Sequence, residues 1–190
     1  MDPDTSRSRT NLEFKARVAD HDALASAFSR HGAMPAGMLR QTDTYFSVAR
    51  GRLKIREVVN GRTELIFYDR DESLTNHMES HYRLVDVNDP GLKIVLEAAM
   101  GIKIVVKKKR RLYLWKNARI HLDEVETLGK FLEFEVVSEP DLQNEVRNFE
   151  EDSKTLEALK EIAAPFVEQE IACSYSDLML SERSRSAAHL

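Results

Sequence analysis

Apolar and charged residues alternate along several segments of the chain, and this alternation predicts β-strands. In residues 11–17, Leu12, Phe14 and Ala16 fall on one face of such a strand, while polar or charged residues occupy the other face. The same pattern returns in residues 53–57, 119–123 and 131–136. Because charged residues recur opposite apolar ones in strand after strand, the pattern favours a closed sheet with a charged interior.

Turn and capping residues place the remaining elements. Asp20 can cap a first helix, Asn60-Gly61 is typical of a hairpin turn, and Asp89-Pro90 can begin a second helix. Strands are predicted at residues 9–18, 42–48, 53–59, 64–70, 81–87, 102–109, 111–116, 119–126 and 131–138. Helices are predicted at about residues 20–31, 89–101, 140–164 and 176–180, and a loop at 71–77. We therefore expect an α+β fold, a closed antiparallel β-barrel with flanking helices.

The length of the chain suits a single domain. The predicted elements of the 190-residue sequence fall within residues 9–180. Residues 1–8 and 181–190 are polar and lack periodicity, so they are predicted to form a disordered N-terminus and a mobile C-terminal tail.

Composition narrows the class of protein. The net charge is −4, so no overall basic excess favours binding to nucleic acid. Cys173 is the single cysteine, which excludes an internal disulfide and favours a reducing compartment. The N-terminus lacks the apolar core of a secretory signal, and no apolar run approaches the roughly 20 residues that span a bilayer. We expect a cytoplasmic protein that does not bind membranes.

Carboxylates are the first candidates for chemistry. Glu133 and Glu135 lie two residues apart on one predicted strand face, and Glu13 and Asp123 lie on the charged faces of two other strands. Carboxylates that converge in one cavity repel each other unless cations lie between them. Hard divalent ions such as Mg²⁺ or Mn²⁺ suit oxygen ligands. On spacing alone, solvated strand faces with surface ion pairs explain these residues equally well.

Basic residues occupy the same charged faces. The set comprises Lys15, Arg17, Lys54, Arg56, Arg70, Arg119 and the run Lys107–Arg111. Several fixed cations are needed to hold a triphosphate, and arginine is suited to bidentate contacts with phosphate. Within a strand the basic run alternates sides, so either Lys108 and Arg110 or the other three residues face the interior of a closed sheet.

Several motifs, in order along the chain, resemble one family. The segment Asn11-Leu12-Glu13-Phe14-Lys15 resembles the E-x-E-x-K signature of the CYTH domain, the fold of class IV adenylate cyclases and thiamine triphosphatases. Further motifs similar to those of this triphosphate tunnel metalloenzyme family lie at residues 41–46, 51–56, 65–70, 119–125 and 128–135. Residues 174–179 resemble the Ser-Tyr-x-Asp-Leu-Leu ending of class IV adenylate cyclase-like sequences.

The resemblance implies a tunnel in which acidic residues bind metal and basic residues bind polyphosphate. The implied metal ligands, for Mg²⁺ or Mn²⁺, are Glu13, Asp123, Glu133 and Glu135. The implied triphosphate-binding residues are Lys15, Arg17, Lys54, Arg56, Arg70, Lys108, Arg110 and Arg119. Glu13 and Lys15 are also the implied catalytic residues. His121 is expected to be a structural residue outside the site.

The implied activity is the processing of a nucleoside or other organic triphosphate, or of inorganic polyphosphate. It is either cyclisation of ATP to cyclic AMP and pyrophosphate or hydrolysis of a triphosphate. Asn11 replaces the first glutamate of the signature, and a neutral amide is a weaker metal ligand than a carboxylate. A non-catalytic binder of nucleotides or polyphosphate is therefore the alternative, and an RNA-binding role for Lys107–Arg111 is disfavoured. Both a monomer and a homodimer are compatible with the sequence.

Overall fold

The computed structural model describes residues 9–70, 78–137 and 149–187, which form nine β-strands and four α-helices. The strands are β1 (Arg9–Val18), β2 (Met34–Phe46), β3 (Arg52–Val58), β4 (Thr63–Arg70), β5 (Met78–Asp86), β6 (Ile102–Trp115), β7 (Ala118–Val125), β8 (Gly129–Val137) and β9 (Val167–Glu170). The helices are α1 (His21–Arg30), α2 (Gly91–Met100), α3 (Phe149–Ala163) and α4 (Tyr175–Ala187), with a short 3₁₀ helix at Ala164–Phe166. The α+β fold is therefore confirmed.

All strands belong to one antiparallel sheet in the order β5-β4-β3-β2-β6-β7-β8-β1-β9. The first half of β1 also pairs with β5, where Arg9 lies opposite Tyr82 and Glu13 opposite Met78. The second half of β1 pairs with β9 instead. Within the described residues, each of β1–β8 thus has a paired neighbour on both sides, and the series of pairings returns to its start.

One hydrophobic core lies on the outer face of the sheet. Leu12, Phe14 and Ala16 of β1 are buried there, as the alternation predicts. They join a cluster that includes Phe28 of α1 and Leu159 of α3. Helix α1 begins as expected from the sequence, because the side chain of Asp20 accepts hydrogen bonds from the backbone N–H groups of Asp22 and Ala23. Burial of the apolar face of β1 leaves its charged face turned inward.

A second core lies on the inner face, at one end of the sheet. Tyr45, Ile66 and Ile104 are buried in it together with Tyr175 and Met179 of α4. Helix α4 therefore packs against the inner face of the strands, whereas α1 and α3 pack against the outer face. None of the helices that the structure describes is long and apolar enough to cross a membrane.

Several boundaries differ from the sequence-based prediction. Strand β2 begins at Met34 rather than at residue 42, because its exposed first half is specified by pairing with β6 and not by burial. Strand β6 is continuous where two strands were predicted, and the four exposed-to-intermediate residues of β9 were not predicted. Helix α4 continues to Ala187, past the expected end at Leu180. Residues 1–8, 71–77, 138–148 and 188–190, and with them the loop predicted at 71–77 and the start of the helix predicted from residue 140, lie outside the described part of the chain.

Candidate active site

The inner faces of the strands line a cavity of about 600 Å³. Strand alternation places charged side chains there, because the opposite face of each strand is committed to the outer core or to solvent. Among the described residues, its basic lining residues are Lys15, Lys54, Arg56, Arg62, Lys108, Arg110 and Arg119. Its acidic lining residues in the same part of the chain are Glu13, Asp43, Glu64, Glu133 and Glu135. Charged residues from seven strands thus converge on one volume.

Asp43 holds a cluster of three cations on one wall. Its carboxylate accepts hydrogen bonds from the Arg56 guanidinium at 2.8 and 2.9 Å and from Lys54 Nζ at 3.0 Å. Lys108 Nζ lies 3.6 Å from the same carboxylate. Burial alone would raise the pKa of Asp43, but the three cations hold that pKa well below its usual range. Asp43 is therefore a buried anion at neutral pH.

Lys108 has the most unusual electrostatic environment of this wall. Its side chain is 3% exposed and lies between Asp43 and the ring of Tyr175. Burial, reinforced by the charge of Arg110, lowers the pKa of Lys108 to about 7 against the opposing effect of Asp43. Near neutral pH this amine therefore exists in both its charged and its neutral form.

A second network surrounds Arg110. The guanidinium of Arg110 donates to Asp123 at 2.6 and 2.7 Å and to Glu133 at 2.6 Å. Glu133 also pairs with Lys15 at 3.1 Å. Burial would raise the pKa of Glu133, but Lys15 and Arg110 hold it well below its usual value. His121, whose Nδ1 lies 3.5 Å from Glu133, has its pKa lowered by burial and by Arg110.

Tyr175 of α4 joins the two networks at one end of the cavity. Its hydroxyl donates to Asp123 at 3.0 Å, and its ring lies 4.7 Å from Lys15 Nζ and 5.4 Å from Lys108 Nζ. Such distances allow cation–π attraction. The helix is fixed at its start, because Asp177 pairs with Arg52 of β3 at 2.9 Å.

The carboxylates on β1 and β8 have the chemistry of ligands for a hard cation. Glu13 and Glu135 are directly opposite each other in the pairing of these strands, and like charges in that position repel. Together with Glu133 they offer only carboxylate oxygens, the donors that Mg²⁺ and Mn²⁺ prefer. The donor set therefore fits a divalent ion.

The same carboxylates already have basic neighbours. Arg119 donates to Glu135 at 3.1 Å, and Glu133 contacts Lys15 and Arg110. In the described ranges, no three acidic, histidine or cysteine side chains are grouped closely enough to hold an ion as they stand. Glu133 and Glu135 are therefore already neutralised by basic side chains of the cavity.

The structure shows which residues of the basic run Lys107–Arg111 face inward. Lys108 and Arg110 line the cavity, as expected from one of the two possible phases. The other three residues face outward and pair with acidic residues of the surface, namely Lys107 with Glu126, Lys109 with Glu124, and Arg111 with Asp22. The run therefore does not form a continuous basic patch on one face.

Three of the predicted site residues, Arg17, Asp123 and Arg70, are not seen in the lining. Arg17 donates to the backbone carbonyl of Leu128 and lies over the ring of Phe131, outside the cavity-lining set. Asp123 is fully buried behind the lining, where it accepts hydrogen bonds from two lining residues, Arg110 and Tyr175. The side chain of Arg70 lies outside the described residues, and so does that of Asn11, which replaces the first glutamate of the signature.

Sequence reasoning missed several lining residues. Asp43, Gln41 and Tyr45 alternate within the second-strand motif, and that alternation was the signal that placed all three on one face. His121 was expected to be structural, yet it lines the cavity beside Glu133. Tyr175 could not be placed from the sequence, because the position of α4 depends on long-range contacts.

Comparison with known proteins gives the family. The sequence matches the model of the CYTH domain over residues 9–168. No curated protein sequence matches the chain significantly.

Solved structures with the same fold cover nearly the whole chain. The PH1012 protein from Pyrococcus horikoshii OT3 is 24% identical with a TM-score of 0.71, and 88% of this chain covers 98% of that one. A candidate adenylate cyclase from Vibrio parahaemolyticus is 16% identical with a TM-score of 0.72, covering 91% and 99% of the two chains. A candidate adenylyl cyclase from Hippeastrum, HpAC1, described as having a dominant triphosphatase activity, is 18% identical with a TM-score of 0.62, covering 90% and 96%.

These likenesses establish the fold, and the family model extends through eight of the nine strands and into the ninth. Because that model matches most of the sequence, the protein belongs to the CYTH domain family.

Proposed function

We propose that this protein is a divalent-metal-dependent enzyme that processes triphosphates within a tunnel formed by β1–β8. The observation that supports this function most strongly is the convergence of basic and carboxylate side chains on one cavity of about 600 Å³. A cavity for a simple anion needs only cations, whereas a metal-bound polyphosphate needs both kinds of group. The pairing of β1 with β5 supports the closed tunnel.

The two walls of the cavity suit different parts of such a ligand. Lys54, Arg56 and Lys108 form a basic wall that can hold phosphate oxygens, and Arg110 and Arg119 extend it toward the carboxylates. Glu13, Glu133 and Glu135 would hold Mg²⁺ or Mn²⁺, which offsets negative charge on the phosphates. Lys15 lies between the two sets through its contact with Glu133. Asp123 acts by orienting Arg110.

Two in-line reactions fit this arrangement. In cyclisation, the ribose 3′-oxygen of ATP bonds to the α-phosphorus while the bond to pyrophosphate breaks. In hydrolysis, a water oxygen bonds to the terminal phosphorus and the rest of the ligand leaves. In both reactions Arg56 and Arg110, together with Lys108 in its protonated form, would stabilise charge on the phosphate oxygens in the transition state. The candidate cyclases and the triphosphatase activity among the structural relatives support this pair of reactions.

A non-catalytic polyphosphate binder is the alternative function. It is favoured by Asn11, which replaces the first glutamate of the family signature. It is also favoured by the contacts of Glu133 with Lys15 and Arg110, since a carboxylate so engaged is less available to a metal.

Product analysis separates these functions. The pure protein is incubated with ATP, thiamine triphosphate or tripolyphosphate in the presence of Mg²⁺ or Mn²⁺. Cyclic AMP with pyrophosphate indicates a cyclase, and free phosphate indicates a hydrolase. Tight binding without any product indicates the non-catalytic binder.

Substitution of one carboxylate tests the role of the metal ligands. We expect Glu135→Gln to lower metal-dependent turnover by more than about tenfold, because even outer partners of metal ligands typically contribute 10–100-fold. The matched control is Glu124→Gln on β7, an exposed glutamate that pairs with Lys109. Equal turnover of both variants, with unchanged thermal unfolding, would contradict the assignment of Glu135.

A further inference from the structure

One region of the cavity lining is apolar rather than charged. Leu39, Val58 and Leu112 line the cavity, and each is only partly buried, so their side chains remain accessible from the cavity. Phosphate oxygens gain nothing from such a surface, because it offers neither charge nor hydrogen-bond donors. The region therefore serves a different part of a ligand.

Strand pairing fixes this region beside the basic wall. Gln41 lies directly opposite Val58 of β3 and directly opposite Lys108 of β6. Leu39, two residues before Gln41 on the same strand face, lies opposite Arg110. A ligand whose phosphates contact Lys108 and Arg110 would thus bring its attached group against the apolar side chains.

Gln41 contributes an unpaired hydrogen-bond acceptor to this region. The residue is 6% exposed and lines the cavity, yet its amide oxygen has no hydrogen-bond partner within the described part of the chain. Buried acceptors in proteins are almost always paired, so an unpaired one in a ligand cavity points to a donor supplied by the ligand. Phosphate oxygens at neutral pH are acceptors and cannot fill that role.

On the basis of the proposed function, we propose that Gln41, Leu39, Val58 and Leu112 form a subsite for the organic group of a triphosphate. The group it would take is a heterocycle or sugar with an apolar face and an N–H or O–H donor directed at the Gln41 amide oxygen. Inorganic tripolyphosphate has neither feature. The preferred ligand of this protein is thus an organic triphosphate, and tripolyphosphate occupies only the basic wall.

Calorimetric titration with paired ligands tests the subsite. ATP, thiamine triphosphate and inorganic tripolyphosphate are titrated into the wild-type protein and into Gln41→Leu, with the same metal ion. We expect Gln41→Leu to weaken binding of at least one organic triphosphate about 3- to 10-fold, the usual effect of one lost hydrogen bond. Binding of tripolyphosphate should stay within twofold of the wild-type value, which also shows that the variant is folded.

Two further variants complete the design. Leu39→Ala removes apolar surface from the subsite and should weaken the same organic ligand while leaving tripolyphosphate unaffected. The matched control is Gln169→Leu, an exposed glutamine of β9, which should change neither affinity.

The outcomes separate the subsite from the function on which it rests. If tripolyphosphate binds as tightly as every organic triphosphate, and Gln41→Leu affects all ligands equally, the subsite is overturned while the proposed function stands. If no triphosphate binds to the wild-type protein, the proposed function fails and the subsite fails with it.

Discussion

The basic residues of the cavity differ in whether their charge depends on pH near neutrality. Arg110 and Arg56 are guanidinium groups held by bidentate contacts with Asp123 and Asp43, and they stay charged. Lys108 lines the same cavity, and burial lowers its pKa to about 7. Its charge therefore depends on pH in the physiological range, unlike that of its neighbours.

This difference predicts how triphosphate binding depends on pH. A neutral Lys108 must take up a proton to meet a phosphate oxygen, so binding is strongest below its pKa and weakens above it. We expect tripolyphosphate affinity to fall roughly tenfold between pH 7 and 8.5. Calorimetric titration across this range measures the effect. In Lys108→Arg the cation cannot lose its proton, so a profile identical to that of the wild type would contradict the prediction.

At the scale of residues, the alternation of side chains along each strand predicted which residues face the cavity, whereas residue type did not predict their partners. The inward placement of Glu13, Lys54 and Glu133 follows from the period of two along each strand. The pairing of Glu133 with Arg110 could not be predicted, because the two residues lie on strands that β7 separates. Their contact depends on the curvature of the sheet and on side-chain length rather than on any local pattern.

Among the elements, α4 links the C-terminal segment to the cavity. Tyr175 is buried, and burial together with the carboxylates of Asp123 and Glu133 raises its pKa well above the usual value. The phenol therefore stays protonated and donates to Asp123. Asp123 in turn orients Arg110, so one helix supports a side chain of the cavity wall.

Removal of the Tyr175 hydroxyl tests this support. We expect Tyr175→Phe to lower the free energy of unfolding by roughly 1.5–3 kcal/mol, the net contribution of a hydrogen bond to a charged group. It should also weaken tripolyphosphate binding, because Arg110 loses part of the network that orients it. Chemical denaturation and calorimetric titration measure the two effects. Tyr113→Phe, a change outside the cavity, is the control, and equal effects of both substitutions would contradict the role of α4.

Elements with strong local signals were predicted well, and those fixed by distant partners were not. The Asp20 cap and the apolar stripe of α1 specify that helix locally, and its predicted range is confirmed to within one residue at either end. The first half of β2 contains Pro35 and Gly37 and is exposed, so only its pairing with β6 makes it a strand. Strand β9 has four residues, too few for a periodic pattern to emerge.

At the scale of the whole molecule, the charge of the cavity lining is opposite in sign to the net charge of the protein. The net charge of the chain is −4, whereas basic residues outnumber acidic ones in the lining that the structure describes. The acidic excess of the chain therefore lies outside the described lining, and the cavity is a basic site within an acidic protein. Composition alone could not reveal this, because it averages over both regions.

A ligand that binds only the folded protein should stabilise the entire fold. A ligand at 100 times its dissociation constant adds about 2.7 kcal/mol to the free energy of unfolding. For a domain of this size we expect tripolyphosphate to raise the melting temperature by about 5–10 °C. Differential scanning calorimetry measures the shift, with sulfate at equal ionic strength as the control. An equal shift with both anions would contradict a specific site for polyphosphate.

The carboxylate of Asp43 affects both folding and ligand binding. Three cations crowded on one wall would repel one another, and the native chain could then depend on a bound anion to fold. The carboxylate carried by β2 compensates them from within, so folding can be complete before any triphosphate arrives. Under the proposed function, the same carboxylate competes with the phosphates for these cations, which weakens phosphate binding and favours release of the product.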